Sequence, residues 1–435
     1  MERRVSAASR LRGTIAPPGD KSISHRAAIF GAIADGLSVV DGFLPGEDCF
    51  STTLCLEAMG VGFEKHSSED GAFQVKVHGV GRRGLRESAD VLDAGNSGTT
   101  MRLLAGLLAG QSFFSVLSGD KSLRSRPMGR VLMPLREMGA TVLGRDGDQL
   151  APFAIRGGNL TGIDYALPVA SAQLKSAIIL ASLFANSPTT LAEPGPARDH
   201  TELMLRSMGA TIKAANGKIL IQPLQNELEP LRTRVPGDMS SACFWLVAAV
   251  CHPNAEIRLV GVGMNPTRRG ALDVLLQMGA DVEVLEERTQ GGEPVADLVA
   301  RTSSLHGVEI GGDLIPRAID EIPALALAGV FADGDTIIHD ASELRVKESD
   351  RILTTCTELR RLGASVDEAP DGMTIHGGHE LSGATVSSSG DHRLAMTLAV
   401  AGLLARGETR VENAESVEIS YPGFWSDLEQ LCAGW

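Results

Sequence analysis

A chain of 435 residues exceeds the size at which one hydrophobic core keeps growing, so its length predicts two domains of about 200 residues each. Hydrophobic residues make up 43% and charged residues 22%, the balance of a globular protein, and no apolar run reaches the roughly 18 residues a membrane helix needs. The net charge of -14 excludes an unstructured attraction to nucleic acid or anionic lipid, so any bound anion must be held by local basic groups.

The chain begins Met1-Glu2-Arg3-Arg4-Val5-Ser6, basic but followed by no apolar stretch of signal-peptide length, which predicts a protein that stays in the cytosol. Six cysteines (Cys49, Cys55, Cys243, Cys251, Cys356, Cys432) form no CxxC pair and no Cys/His spacing suited to zinc. They read as reduced, mostly buried thiols.

The first predicted helix opens at Pro18-Gly19-Asp20-Lys21-Ser22, with Arg26 one turn on, and runs into the apolar stretch Ala27 to Ala34. A helix N-terminus presents unpaired N–H groups and the positive end of the macrodipole, so Lys21 and Arg26 there are suited to one shared anion. Similar openings recur at Gly95-Asn96-Ser97-Gly98, Ala170-Ser171-Ala172-Gln173, Gly237-Asp238-Met239-Ser240, Ile319-Asp320-Glu321 and Gly390-Asp391-His392-Arg393, six in all. Gly98 leaves room for a ligand to approach the backbone. Ser171 serves equally well as a substrate contact or as a plain helix cap.

A second element repeats between these openings. Leucine-rich helical patterns end at Gly60, Gly139, Gly209, Gly279 and Gly363, four of them in the form Met-Gly, and β-type residues follow. Glycine there suits a left-handed C-cap before a strand. Six α/β units, three per half, predict a pseudo-symmetric two-domain protein; a dinucleotide-binding or eightfold-barrel pattern would show other periods.

Two further segments concentrate charge. Gly119-Asp120-Lys121-Ser122-Leu123-Arg124-Ser125-Arg126-Pro127 reads as an ordered basic loop, and Glu343-Leu344-Arg345-Val346-Lys347-Glu348-Ser349-Asp350-Arg351 reads either as a site or as an ion-paired helix surface. His25, His200 and His392 lack partners at metal-ligand spacing and read as hydrogen-bonded structural histidines.

In order along the chain, PGDKSISHRA (18 to 27), DAGNSGTTMRLLAG (93 to 106), RPMGR (126 to 130), ASAQLKSA (170 to 177), RDHTE (198 to 202), MNPTRRG (264 to 270), DEIPALA (320 to 326), ELRVKESDRI (343 to 352) and DHRLAM (391 to 396) resemble the 5-enolpyruvylshikimate 3-phosphate synthase family, closer to its second class. The resemblance implies an α/β protein of the enolpyruvyl transferase fold, an inside-out α/β barrel. It would have two pseudo-threefold domains of three βαβαββ units each. The upper domain would comprise residues 1–20 and 237–435, the lower 21–236, with the active site in the cleft between them.

The activity it implies is transfer of the carboxyvinyl group of phosphoenolpyruvate to the 5-hydroxyl of shikimate 3-phosphate, in a cytoplasmic monomer needing no cofactor and no metal. By motif match Lys21, Ser22, Arg26, Ser171, Ala172, Gln173, Arg198, Asp320 and Lys347 would contact shikimate 3-phosphate. Lys21, Gly98, Arg126, Gln173, Arg351 and Arg393 would surround phosphoenolpyruvate. Asp320 would act as base toward the hydroxyl, Glu348 as proton donor to carbon, and Lys21 as stabiliser of the departing phosphate.

The chain departs from the first class at Ile419-Ser420-Tyr421-Pro422, where a lysine contact to phosphoenolpyruvate is missing, and at Leu103, where that class has proline. Glycine at 98 leaves room for glyphosate and predicts inhibition. The related transferase acting on UDP-N-acetylglucosamine usually carries a reactive cysteine in the loop that here reads Lys121 to Arg126 without one. A nucleic-acid-end-binding protein on a related scaffold is disfavoured by the net charge and by the absence of aromatic residues among the basic ones. A catalytically dead binding module is disfavoured because Lys21, Asp320 and Glu348 are all present.

Overall fold

The computed structural model describes residues 1–67 and 73–433. The chain forms two compact units. One comprises Met1–Pro18, Pro236–Thr289 and the chain from Glu293 onward; the other comprises Gly19–Val235 with Gln290–Gly292.

Among the described residues each unit contains three sheets, and one wiring recurs. In the second unit, strand Leu92–Asp93 lies parallel to Phe114–Ser118, which pairs antiparallel with Leu150–Arg156, which in turn pairs antiparallel with Thr141–Gly144. Helix Gly98–Ala109 makes the first, parallel crossover and helix Gly129–Glu137 leads into the closing hairpin, giving β-α-β-α-β-β in chain order. Strands Asp164–Ala166, Thr189–Ala192, Ile212–Ala215 and Lys218–Ile221 repeat this with helices Ala172–Ser182 and His200–Ser207.

The other unit completes one such sheet across the chain: the early strand Leu11–Ile15 lies parallel to Ala255–Gly263, pairing Leu11 with Ala255. Strand Glu2–Ser6 pairs antiparallel with Glu408–Glu412. The expected α/β class and repeated unit are therefore seen in both halves.

The sheets wrap buried helices. Helices Lys21–Ile33, Gly98–Ala109 and Ala172–Ser182 lie almost wholly inside one unit; Met239–Cys251, Ile322–Val330 and His392–Leu404 lie inside the other. Their sequences explain the placement. Stretches such as Phe244-Trp245-Leu246-Val247-Ala248-Ala249-Val250 are apolar around the whole circumference, and such a helix is stable only in the interior. Each leucine or isoleucine buried there contributes about 1.5–3 kcal/mol of transfer free energy.

Small residues let these helices meet closely: a Cβ added at Gly106 would stand 2.2 Å from the Ala177 carbonyl oxygen. The five helix-ending glycines take φ of 93° (Gly60), 109° (Gly139), 96° (Gly209), 89° (Gly279) and 99° (Gly363), the left-handed conformation expected of a C-cap. The last helix is Phe424–Ala433; a further cap expected near Gly434 falls outside the described residues.

All six cysteines are free, four of them buried. No described helix is long and apolar enough to cross a membrane.

Candidate active-site residues

In the unit built from Gly19–Val235, three helix starts carry the predicted contacts. Asp20 caps the first, its Oδ1 accepting from Ile23 N at 2.9 Å. Lys21 follows immediately, and its Nζ lies 3.0 Å from Asp48 Oδ2, a pair mostly withdrawn from solvent.

Arg26 is 2% exposed. It donates from Nε to Thr201 Oγ1 at 2.7 Å, from Nη2 to Ser176 Oγ at 2.7 Å and from Nη1 to the Ser22 carbonyl oxygen at 2.8 Å. It therefore stands behind Ser22, and Arg198 meets the same serine from another element, Nη1 to Ser22 Oγ at 3.4 Å. The structure brings Ser22, Arg26 and Arg198 together.

The second helix start is capped by Ser97, whose Oγ accepts from Thr100 N. Gly98 is the first helical residue. A Cβ at this position would lie 2.8 Å from Arg102 Nη1 and 3.6 Å from Arg126 Nη1, so the glycine sits between two guanidinium groups. Arg126 is anchored by Nη2 to Asn96 Oδ1 at 2.6 Å and to Ser122 Oγ at 3.3 Å.

The third helix start joins this cluster. Gln173 accepts from Arg102 Nη1 at 2.6 Å and donates from Nε2 to Thr99 Oγ1 at 2.9 Å. Ser171 is the cap of that helix, accepting from Leu174 N at 3.4 Å, and Ala172 is its first residue. Ser171 thus serves as the cap of its helix.

In the other unit Arg351 is the centre of a carboxylate cluster. It caps nothing itself: it is the first residue of the helix Arg351–Arg361 opened by Asp350, whose Oδ1 accepts from Leu353 N at 3.0 Å. Its side chain is only 2% exposed. Nη1 lies 3.1 Å from Asp320 Oδ1, Nη2 2.7 Å from Glu348 Oε2, and Nε 2.8 Å from Asp391 Oδ2. Burial works against its charge, but the carboxylates of Asp391, Glu348 and Asp320 outweigh it and raise its pKa above the ordinary arginine value.

Lys347 Nζ approaches the same Asp320 oxygen at 3.4 Å. Asp391 also caps the next core helix, accepting from Arg393 N at 2.9 Å. Arg393 is 3% exposed, and its Nε and Nη1 meet no hydrogen-bond acceptor among the described residues. Buried guanidinium donors without an acceptor are costly unless an anion satisfies them.

One layer deeper, Glu321 accepts from Ser240 Oγ, and Arg268 lies between them, with Nη1 3.6 Å from Glu321 Oε1 and Nη2 2.6 Å from Ser240 Oγ and 3.1 Å from Asp238 Oδ1. Among the described residues no group of three or more His, Cys, Asp or Glu side chains is arranged to hold a metal.

Several of these residues carry little signal of their own in the sequence. Arg102 lies within a motif, and its place four residues after Gly98 puts it on the same helix face. Asp48 carries no local signal, and the motifs that contain Asn96 and Arg268 do not reveal what these residues meet, since the partners lie 27 to 30 positions away.

The EPSP synthase (3-phosphoshikimate 1-carboxyvinyltransferase) family model matches residues 5–428 of the chain. The chain is 54% identical over 433 residues to the 3-phosphoshikimate 1-carboxyvinyltransferase of Herpetosiphon aurantiacus, covering 99% of each. It is 51% identical over 431 residues to the protein of that name from Desulforamulus reducens, again with 99% of each covered. Its structure resembles that of the EPSP synthase from Acinetobacter baumannii with a TM-score of 0.86 at 42% identity, over 99% of this chain and 98% of that one.

Proposed function

The chain belongs to the EPSP synthase family, and on that premise we propose that it moves the carboxyvinyl group of phosphoenolpyruvate onto the 5-hydroxyl of shikimate 3-phosphate and releases phosphate. The observation that carries this reading is the grouping of Asp320 and Glu348 on the single buried guanidinium of Arg351, with Lys347 alongside.

The reaction needs one group to take a proton from oxygen and another to give one to carbon. Asp320 takes the proton of the 5-hydroxyl as that oxygen bonds to C2 of phosphoenolpyruvate, and Glu348, carrying a proton once Arg351 has turned from it to phosphoenolpyruvate, gives that proton to the methylene carbon, forming a tetrahedral ketal phosphate. The methyl group then returns a proton to Glu348 as the C–O bond to phosphate breaks, which restores the double bond, and the proton held by Asp320 leaves with the phosphate. Lys21 stabilises the departing phosphate.

Lys21, Ser22, Arg26, Arg198, Ser171, Ala172, Gln173, Asp320 and Lys347 bind shikimate 3-phosphate in this scheme; Lys21, Gly98, Arg126, Gln173, Arg351 and Arg393 bind phosphoenolpyruvate. Guanidinium groups suit both anions because they form paired, charge-assisted hydrogen bonds to phosphate and carboxylate. The unsatisfied donors of Arg393 support its share of that task. Arg351 orients both catalytic carboxylates and would exchange one of them for phosphoenolpyruvate. We further propose that the enzyme works as a cytoplasmic monomer.

The test is phosphate release from phosphoenolpyruvate by purified, chelator-treated protein, with shikimate 3-phosphate or UDP-N-acetylglucosamine as acceptor. Release with shikimate 3-phosphate alone is expected. Release with the sugar nucleotide alone would replace the acceptor, and release with neither would sink the transferase reading.

A further inference from the structure

Lys175 stands in the apolar helix Ala172–Ser182 and is 1% exposed. Its Nζ lies 2.9 Å from Glu193 Oε1 and 2.8 Å from Glu202 Oε1, and it donates to the Ala197 carbonyl oxygen at 3.2 Å. These three partners bracket one segment. Glu193 follows the strand Thr189–Ala192, Ala197 precedes Arg198, and Glu202 lies in the first turn of helix His200–Ser207.

Burying an ammonium with two carboxylates carries a large desolvation penalty, and an apolar side chain of similar volume commonly stabilises a core as well or better. Stability alone is therefore a weak reason for lysine at this place. What the ammonium does achieve is geometric: it ties both ends and the middle of the 193–202 segment to a rigid core helix. That segment supplies Arg198, which donates to Ser22, and Thr201, which accepts from Arg26 Nε and meets Ser176 Oγ at 2.7 Å.

We propose that Lys175 is a positioning residue for the phosphate of the acceptor: it holds the 193–202 segment so that Arg198 and Arg26 converge beside Ser22. The inference rests on the assignment of those residues to shikimate 3-phosphate. It adds a group that touches neither substrate and acts through the tethered segment.

The experiment compares wild type, Lys175→Met, Lys175→Arg and the triple variant Lys175→Met/Glu193→Gln/Glu202→Gln. Titration calorimetry gives shikimate 3-phosphate affinity without phosphoenolpyruvate, and steady-state kinetics and unfolding midpoints are measured alongside. Lys175→Met is expected to weaken shikimate 3-phosphate binding and raise its KM by about tenfold or more, with the KM for phosphoenolpyruvate little changed, because misplacing a binding group by about 1 Å has effects of that size. Lys175→Arg should recover part of the loss.

The triple variant removes the uncompensated charges; it should regain unfolding stability while shikimate 3-phosphate affinity stays low, since the tether is still gone. If affinity returns together with stability, or if Lys175→Met binds the acceptor like wild type, the positioning role is overturned. Wild type that fails to bind shikimate 3-phosphate would instead overturn the acceptor assignment beneath it.

Discussion

Arg351 Nη1 lies 3.1 Å from Asp320 Oδ1, so the proposed base is steered by a guanidinium that is itself fixed by Glu348 and Asp391. Replacing Asp320 by Asn keeps an oxygen for Arg351 and Lys347 but removes the basic site. Turnover should fall by about 10²–10⁴, the usual worth of a positioned general base, while calorimetry shows shikimate 3-phosphate still bound. Turnover at the wild-type rate would remove Asp320 from the role.

Gly98 tests the guanidinium pair. Its backbone is helical, so Gly98→Ala should fold normally, but the new methyl would stand 2.8 Å from Arg102 Nη1, which holds Gln173. The arginine must shift. The KM for phosphoenolpyruvate is expected to rise by about tenfold with the unfolding midpoint little changed; an unchanged KM would show that the site tolerates a displaced Arg102.

His25 gives a pH signature. Its ring is wholly buried, with Nδ1 2.7 Å from Thr52 Oγ1, and burial first, then the charges of Lys21 and Arg26, hold its pKa well below the ordinary 6.5. The folded protein keeps it neutral, whereas the unfolded chain binds a proton below pH 6.5. The unfolded state therefore holds more protons, and stability falls as pH drops through that value, by up to about 1.4 kcal/mol per pH unit. Denaturant titrations at pH 7 and pH 5.5 should show a smaller loss in His25→Gln; equal slopes would mean His25 is not the group responsible.

Arg268 and Arg406 contrast a buried with an exposed ion pair. Arg268→Ala leaves Glu321 and Asp238 buried without their cation, at a cost of about 3–5 kcal/mol. Arg406→Ala removes a pair whose side chains are 76% and 70% exposed and should change stability by less than about 0.5 kcal/mol. Unfolding free energies of the two variants decide it, and similar values for both would contradict the burial argument.

What the sequence reveals and what it hides divide along physical lines. The helix-ending glycines and the capping residues Asp20, Ser171, Asp238 and Asp391 act on backbone within a few positions, so their roles are legible locally. The wholly apolar helices announce their burial for the same reason. Lys175, Asp48 and Arg268 are different: each is defined by a partner brought near only by the fold, and even the motifs that contain Lys175 and Arg268 do not reveal it. Arg351 shows the limit most clearly. Its motif points to a substrate anion, yet the structure also gives it the task of holding three carboxylates.

Strand Glu2–Ser6 pairs with Glu408–Glu412, and Leu11–Ile15 with Ala255–Gly263. During synthesis the first strand must therefore wait for a partner about 400 residues away, which at roughly 5–20 residues per second is about 20–80 s. The Gly19–Val235 stretch has all the described strands of its sheets long before then. Strand Glu2–Ser6 is thus made early and placed late, and any group fused beside it is carried by a part of the chain that stays long unpaired.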